Sequence, residues 1–237
     1  MKINGLTLVD NQVWATTNIA KASIVVWDVR KFTTIKIIKS TTVYGALLAT
    51  DTNIWCATLK NQQNSIHIRP LSFKLKLKGS FKLKKQLALT EGPGECLLQF
   101  HHQIWVGSGS HIVVFDSDTL TKEFTITGHT GTVHGLVSVG NHVWSCSTDK
   151  TIRIWDSNGN CLQTLAGHAS RVFSLIYHDR KIWSGSWDKT IMVWDPQVFF
   201  FFSVYVNNPF FNVFFYFYFY FYFYVDFCVC ARIEGYT

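Results

Sequence analysis

Helix is missing from this sequence. No window of helical length carries a convincing apolar stripe at i, i+3, i+4 and i+7, so an amphipathic helix is not expected anywhere. The six cysteines (Cys56, Cys96, Cys146, Cys161, Cys228 and Cys230) form no pair of CxxC units, which excludes a zinc site of that kind. They read as reduced thiols of a cytoplasmic protein. Met1-Lys2-Ile3-Asn4-Gly5 opens no apolar h-region, so no secretory signal is expected. No glycine-rich loop ends in Gly-Lys-Ser/Thr, and a phosphate-cradling nucleotide site is not expected. No cofactor or metal is implied. Charged residues make up only 16% of the 237, against 48% hydrophobic, so a sizeable core can form. The net charge of +7 is unevenly distributed.

What the sequence does contain is repetition. His129 to Asp156 reads HTGTVHGLVSVGNHVWSCSTDKTIRIWD, and His168 to Asp195 reads HASRVFSLIYHDRKIWSGSWDKTIMVWD. Each copy is introduced by glycine (Gly128, Gly167) and ends on Trp-Asp, and the two histidines stand 39 residues apart. A fixed period near forty marks a repeat architecture, whose units serve binding surfaces more often than catalytic clefts. A weaker form runs upstream. An Ile/Val-Trp pair recurs at Val13-Trp14, Ile54-Trp55, Ile104-Trp105, Val143-Trp144 and Ile182-Trp183, each followed by a second apolar run. These runs are short, β-branched and aromatic, and bounded by turn-forming residues, which is strand chemistry. Asp149-Lys150 and Asp188-Lys189 fall where hairpin turns are needed. Each unit reads as a small antiparallel sheet that must stack on its neighbours. The units are expected at about 3–40, 43–89, 95–127, 128–166 and 167–197.

Phe73 to Leu89 stretches the second unit. Lys74, Lys76 and Lys78 alternate with Phe73, Leu75 and Leu77. After Gly79-Ser80, Lys82 and Lys84 alternate with Phe81 and Leu83, and Lys85 adds to the basic patch. The pattern predicts a hairpin with one cationic face. It serves either as an edge kept soluble by lysine or as a docking patch for an acidic partner or anionic lipid. Nucleic acid ranks last, since arginines and interleaved exposed aromatics are absent. His101-His102 is read as a turn, because neighbours on a strand point to opposite faces and do not readily share a metal.

The Gly-His…Trp-Asp pattern resembles the WD40 repeat, whose units form the blades of a β-propeller. The likeness is fullest over 128–195 and weakens toward the N-terminus. It implies an all-β propeller of about four complete blades plus a fifth lacking its last strand, as an open arc or a strained small ring. It also implies a hydrogen-bonded tetrad in each well-formed blade: His129, Ser145, Asp149 and Trp155, then His168, Ser184, Asp188 and Trp194. A His/Ser/Asp set invites a hydrolase reading. The set occurs twice at identical spacing, however, and neither serine sits in a Gly-x-Ser-x-Gly elbow, so no enzyme is expected. The third unit has no turn aspartate and carries Phe115 for tryptophan, and is expected to rely on packing alone. In the second unit, Arg69-Pro70 stands where Trp-Asp would be.

The resemblance further implies a scaffold binding proteins or peptides on one propeller face. The contact positions are Thr130, Thr132 and Thr148 in one blade and Ala169, Arg171 and Trp187 in the next. Trp and Arg dominate interface energetics, so Arg171 and Trp187 stand out. The alternative for Trp187 is packing over a neighbouring blade. A kinase or GTPase regulator, of which this is one piece, is the second reading of the chain.

From Val198 the character changes to a Phe/Tyr run, Phe214 to Tyr224. Three readings stand: a membrane anchor within 198–230, with membrane association in place of a cytoplasmic location; a long aromatic strand; or translation of an AT-rich repeat in place of native propeller. The expectation is the last, with 198–237 outside the repeat region.

Overall fold

Each short apolar run becomes a strand paired antiparallel with the next in sequence. In the computed structural model, residues 3–17, 23–39, 42–58, 64–71, 83–196 and 201–205 are described. They form five four-stranded meanders. The first holds β1 (Ile3–Val9), β2 (Gln12–Thr17), β3 (Ser23–Asp28) and β4 (Thr33–Lys39). The second holds β5 (Tyr44–Ala49), β6 (Asn53–Thr58), β7 (Ser65–Pro70) and β8 (Lys85–Ala88). The third holds β9 (Gly94–Phe100), β10 (Gln103–Ser108), β11 (His111–Asp116) and β12 (Lys122–Ile126). The fourth holds β13 (Val133–Val139), β14 (His142–Ser147), β15 (Thr151–Trp155) and β16 (Cys161–Ala166). The fifth holds β17 (Val172–His178), β18 (Lys181–Ser186), β19 (Thr190–Trp194) and β20 (Phe201–Tyr205).

The turns explain the sharp registers. Three residues, Thr148 to Lys150, join β14 to β15, and Trp187 to Lys189 do the same for β18 and β19. Lys150 and Lys189 close them in the left-handed region, at φ 73° and 68°. A three-residue hairpin loop ends this way, with a type I turn followed by one left-handed residue. Val143 then faces Trp155 and Ser145 faces Arg153; Ile182 faces Trp194 and Ser184 faces Met192.

The sheets stack in chain order as the five blades of a propeller, through their first strands: β1 on β5, β5 on β9, β9 on β13, and β13 on β17. The second-strand tryptophan of each sheet points at the sheet that follows. Trp14 packs with Ile54, Trp55 with Ile104, Trp105 with Val143, and Trp144 with Ile182. The third-strand aromatic points back: Phe115, Trp155 and Trp194 each enter the junction with the preceding sheet. All seven of these rings are 1% exposed or less. Burying them supplies the main stabilisation, at roughly 25 cal/mol per Å² of apolar surface.

Among the described residues the arc is open: β17 packs on β13 and makes no comparable contact with β1. Trp183 repeats the position of Trp144 but is only half-buried, as is Trp27 at the far end.

Two expectations are corrected. The fifth sheet was expected to lack its last strand. β20 instead lies along the whole of β19, from Trp194–Phe201 to Thr190–Tyr205. An unpaired outer edge recruits a strand former, and Phe-Phe-Ser-Val-Tyr is one. Residues 206–237, with the Phe/Tyr run, lie outside those described. The lysine-rich stretch is not wholly a protruding hairpin either. Its end, Lys85–Ala88, pairs with β7 as the outer strand of the second sheet. Lys74, Lys76, Lys78 and Lys82 lie outside the described side chains.

Candidate interaction site

The fourth and fifth sheets each enclose a closed polar network. In the fourth, His129 Nδ1 lies 2.7 Å from Asp149 Oδ2 and His129 Nε2 lies 2.7 Å from Ser145 Oγ. Trp155 Nε1 donates to the same Oγ at 2.7 Å. In the fifth the distances are 2.8 Å from His168 to Asp188, 2.8 Å from His168 to Ser184 and 2.8 Å from Trp194 to Ser184. The loop before the first strand, the second strand, the hairpin turn and the third strand are thereby tied together.

The proton directions follow from the donor inventory. An indole nitrogen only donates. Ser145 Oγ therefore accepts from Trp155 and passes its own hydrogen to His129 Nε2. The imidazole is neutral, with its proton on Nδ1 facing Asp149. Burial depresses the pKa of His129 and His168, although the neighbouring aspartates oppose this. His129–Asp149 is thus a hydrogen bond to a carboxylate rather than an ion pair. Burial raises the Asp188 carboxyl, but hydrogen bonds from Thr190 and His168 outweigh it and hold it at about 2. Asp149 is lowered by the same balance, with Thr151 and His129 as donors.

Ser, His and Asp in this order reproduce the connectivity of a nucleophilic triad. Here the chemistry is blocked. Ser145 and Ser184 are 0% exposed, and each Oγ is occupied by an indole N–H. The networks act as braces.

Threonine completes each brace, a residue the sequence reading missed. Thr151 Oγ1 donates to Asp149 Oδ1 at 2.7 Å and Thr190 Oγ1 to Asp188 Oδ1 at 2.6 Å. The signal was present, since Asp-Lys-Thr recurs unchanged in both copies. A second missed device is the last residue of the second strand. Ser108, Ser147 and Ser186 each donate from Oγ to a carbonyl of the preceding loop, at Gly92, Gly131 and Ser170. The third sheet therefore does not rely on packing alone. It also carries the Glu91–Lys122 ion pair at 2.7 Å. The second sheet substitutes a different network. Arg69 occupies the register of Trp155, since Ile54 faces it as Val143 faces Trp155. Its Nη2 donates to Tyr44 Oη at 3.0 Å, and that hydroxyl lies 3.1 Å from His67 Nδ1.

Above the braces, the loop residues form a continuous ledge across two sheets. The Arg171 guanidinium carbon lies 5.2 Å from the centre of the Trp187 ring. Trp187 lies 5.4 Å from Phe173, and Phe173 lies 4.6 Å from His134, ring centre to ring centre. His134 Nε2 is 3.0 Å from Thr148 Oγ1. Trp187 remains 64% exposed, so stacking on one side leaves most of the indole free. The Trp187 N–H donates to the Arg171 carbonyl at 3.0 Å, and the Thr148 N–H to the Thr132 carbonyl at 2.9 Å. The two copies share this frame and differ in side chain. Thr130 and Ala169 are exposed, while their N–H groups donate to Asp149 and Asp188 at 3.0 and 2.9 Å. Lys150 and Lys189 are exposed beside the ledge, whereas the two turn aspartates face inward.

The basic patch is dispersed where it is described. Lys84 Nζ donates to Asn53 Oδ1 at 3.1 Å and Lys85 Nζ to the Leu120 carbonyl at 2.8 Å. His101 lies in the turn between β9 and β10 at φ 53°. His102, Asp116 and Glu123 bring ligand atoms within 4.8 Å of one another at the surface. Asp116 is already committed to the backbone and hydroxyl of Thr119. Among the described residues no helix is long and apolar enough to cross a membrane.

The model of the family "WD domain, G-beta repeat" matches residues 120–156 and 159–195. These are WD40 repeats. Each begins one strand before its sheet does: the first spans β12 to β15 and the second reaches from the start of β16 to the end of β19. A Dictyostelium discoideum protein named "Probable serine/threonine-protein kinase pats1" is 33% identical over 89 residues, 38% of this chain and 3% of that protein. The nuclear distribution protein PAC1 of Candida glabrata is 51% identical over 41 residues, 17% of this chain and 9% of that one. The chain thus spans under a tenth of either relative. Among solved structures, the computationally designed Ika8 protein shares the fold with a TM-score of 0.64 at 22% identity. The match covers 85% of this chain and 61% of that one. WD40 propellers generally bind other proteins and are generally not catalytic, and the blocked serines of this arc fit that character.

Proposed function

We propose that this chain is a non-catalytic scaffold that holds a protein or peptide partner on the ledge running from Thr148 through His134, Phe173 and Trp187 to Arg171. The exposed Trp187 indole, stacked beneath Arg171, carries this reading. A tight turn has no folding need for so large a bare apolar surface, whereas Trp and Arg dominate binding energy at interfaces. The guanidinium over the indole, with exposed Lys189 closing the same turn, suits a partner segment that carries a carboxylate beside an apolar side chain. The test is partner recovery on the immobilised chain, compared with Trp187→Ala/Arg171→Ala. Loss of the partner with an unchanged melting curve supports the proposal; equal recovery or unfolding of the double variant overturns it.

A second reading is that these repeats are the propeller part of a larger signalling protein. The kinase-named relative, of which the chain spans 3%, favours it. Sequencing the spliced transcript on both sides of the coding segment decides it: a kinase or GTPase-regulator domain in frame supports the reading, and stop codons close to residues 1 and 237 remove it. The lysines of 74–85 as a docking patch for an acidic partner or anionic lipid, and 198–230 as a membrane anchor, are separate proposals. Vesicle flotation with and without anionic lipid, and detergent partitioning, test them in turn.

A further inference from the structure

Every internal junction of the arc is the same contact. A second-strand tryptophan and its neighbours on one sheet meet the second and third strands of the next sheet. At the last sheet, the face that bears Trp183 also bears Ile176 and Val193, which pair directly with it across β17 and β19. All three are half-buried. One sheet earlier, Trp144 and its partner Ile154 are both 1% exposed. At the first sheet, the opposite face carries Leu8, Val13 and Trp27, aligned across β1, β2 and β3. Leu8 is 41% exposed, and Val13 and Trp27 are half-buried. The equivalents of Trp27 in the last two sheets, Trp155 and Trp194, are 1% exposed.

We propose that the Trp183 face of one copy docks on the Trp27 face of a second copy, head to tail. Among the described residues, the two end faces are the unpaired halves of the junction that the chain builds four times within itself. A second copy therefore supplies the complement that each face is shaped to meet. The contact is heterologous, so it either closes into a ring or extends. Contiguous apolar side chains that stay partly exposed in this way mark interaction sites.

The test uses the full chain and two end-blocked variants, Trp183→Glu and Leu8→Glu, followed by size exclusion with light scattering. The parent is expected at a mass of two or more copies, and each variant alone at one copy. A 1:1 mixture of the two regains a dimer, because one retains an intact head and the other an intact tail. Circular dichroism and melting curves check folding; if either variant unfolds, Val193→Lys or Val13→Lys takes its place. A monomeric parent overturns the proposal. So does association that survives in either variant, which would assign it to another surface such as residues 206–237. A mixture that stays monomeric overturns it too.

Discussion

Trp155 sets the direction of a proton chain through Ser145: its indole N–H donates to Oγ at 2.7 Å, and the serine hydroxyl turns to His129. Ser145→Ala leaves two buried groups without partners, the indole N–H and His129 Nε2. Each such loss costs about 1–3 kcal/mol, so the variant is expected to be less stable by about 2–6 kcal/mol. Thermal unfolding measures this; an unchanged melting temperature contradicts the bracing role.

Acid weakens the braces in two stages. His129 and His168 titrate below the ordinary value of 6.5 in the folded chain, first because burial disfavours the cation. The unfolded chain takes up protons first, so stability is full above pH 6.5 and declines as pH falls toward the folded values. Asp149 and Asp188 are depressed below 3.8, Asp188 to about 2. Their contribution is intact above pH 3.8 and is lost as pH falls through the folded values, about 2 for Asp188. His67 and His134 are lowered too, first by burial. Comparing the parent with His129→Asn/His168→Asn across pH 4 to 8 isolates the braces: the slope below 6.5 is expected to flatten in the double variant.

Gly128 is needed ahead of His129 for space as well as backbone freedom. Its φ is +154°, and a Cβ there would come within 2.8 Å of Trp155 Cη2 and 3.0 Å of Arg153 Nη1. Gly140, at φ +56°, has nothing within 4 Å of such a Cβ. Gly140→Ala is expected to cost about 1–2 kcal/mol, the strain of a left-handed residue. Gly128→Ala is expected to exceed it, because overpacking adds roughly 1–3 kcal/mol. Equal losses in urea unfolding would contradict the crowding.

Val106 holds in the third sheet the register that Ser145 holds in the fourth, and Phe115 replaces the indole. Val106→Ser therefore places a hydroxyl at a fully buried site with no indole or imidazole to meet it. An expected loss of about 1–3 kcal/mol follows from an unpaired buried polar group. A melting temperature equal to the parent's would mean that the site admits a partner.

The braces could be read from the chain because both copies keep every polar member at one spacing, and a buried hydrogen bond tolerates little change in position. Thr151 and Thr190 were equally repeated, yet as the first residues of β15 and β19 they read as ordinary strand formers, which concealed a bond directed back to the aspartate. The Tyr44–His67–Arg69 substitute left no trace, since Tyr44 is contributed from across the sheet and nothing in the sequence aligns it with Arg69. The ledge was half visible. Arg171 and Trp187 stood out as residues, but Phe173 and His134 lie on first strands of two different sheets and meet only once those sheets are stacked. β20 was hidden by composition, because an aromatic run reads as low complexity until an open strand edge gives it a register.

The offset between repeat and sheet bears on how such an array grows. A duplicated segment in this phase brings its own outer strand for the sheet already standing, so every older sheet is sealed by the newcomer. Only the youngest sheet is left wanting, and whatever sequence happens to come next must seal it. In this chain that task falls to Phe201–Tyr205, five residues that lie outside both matched repeats and complete the fifth sheet.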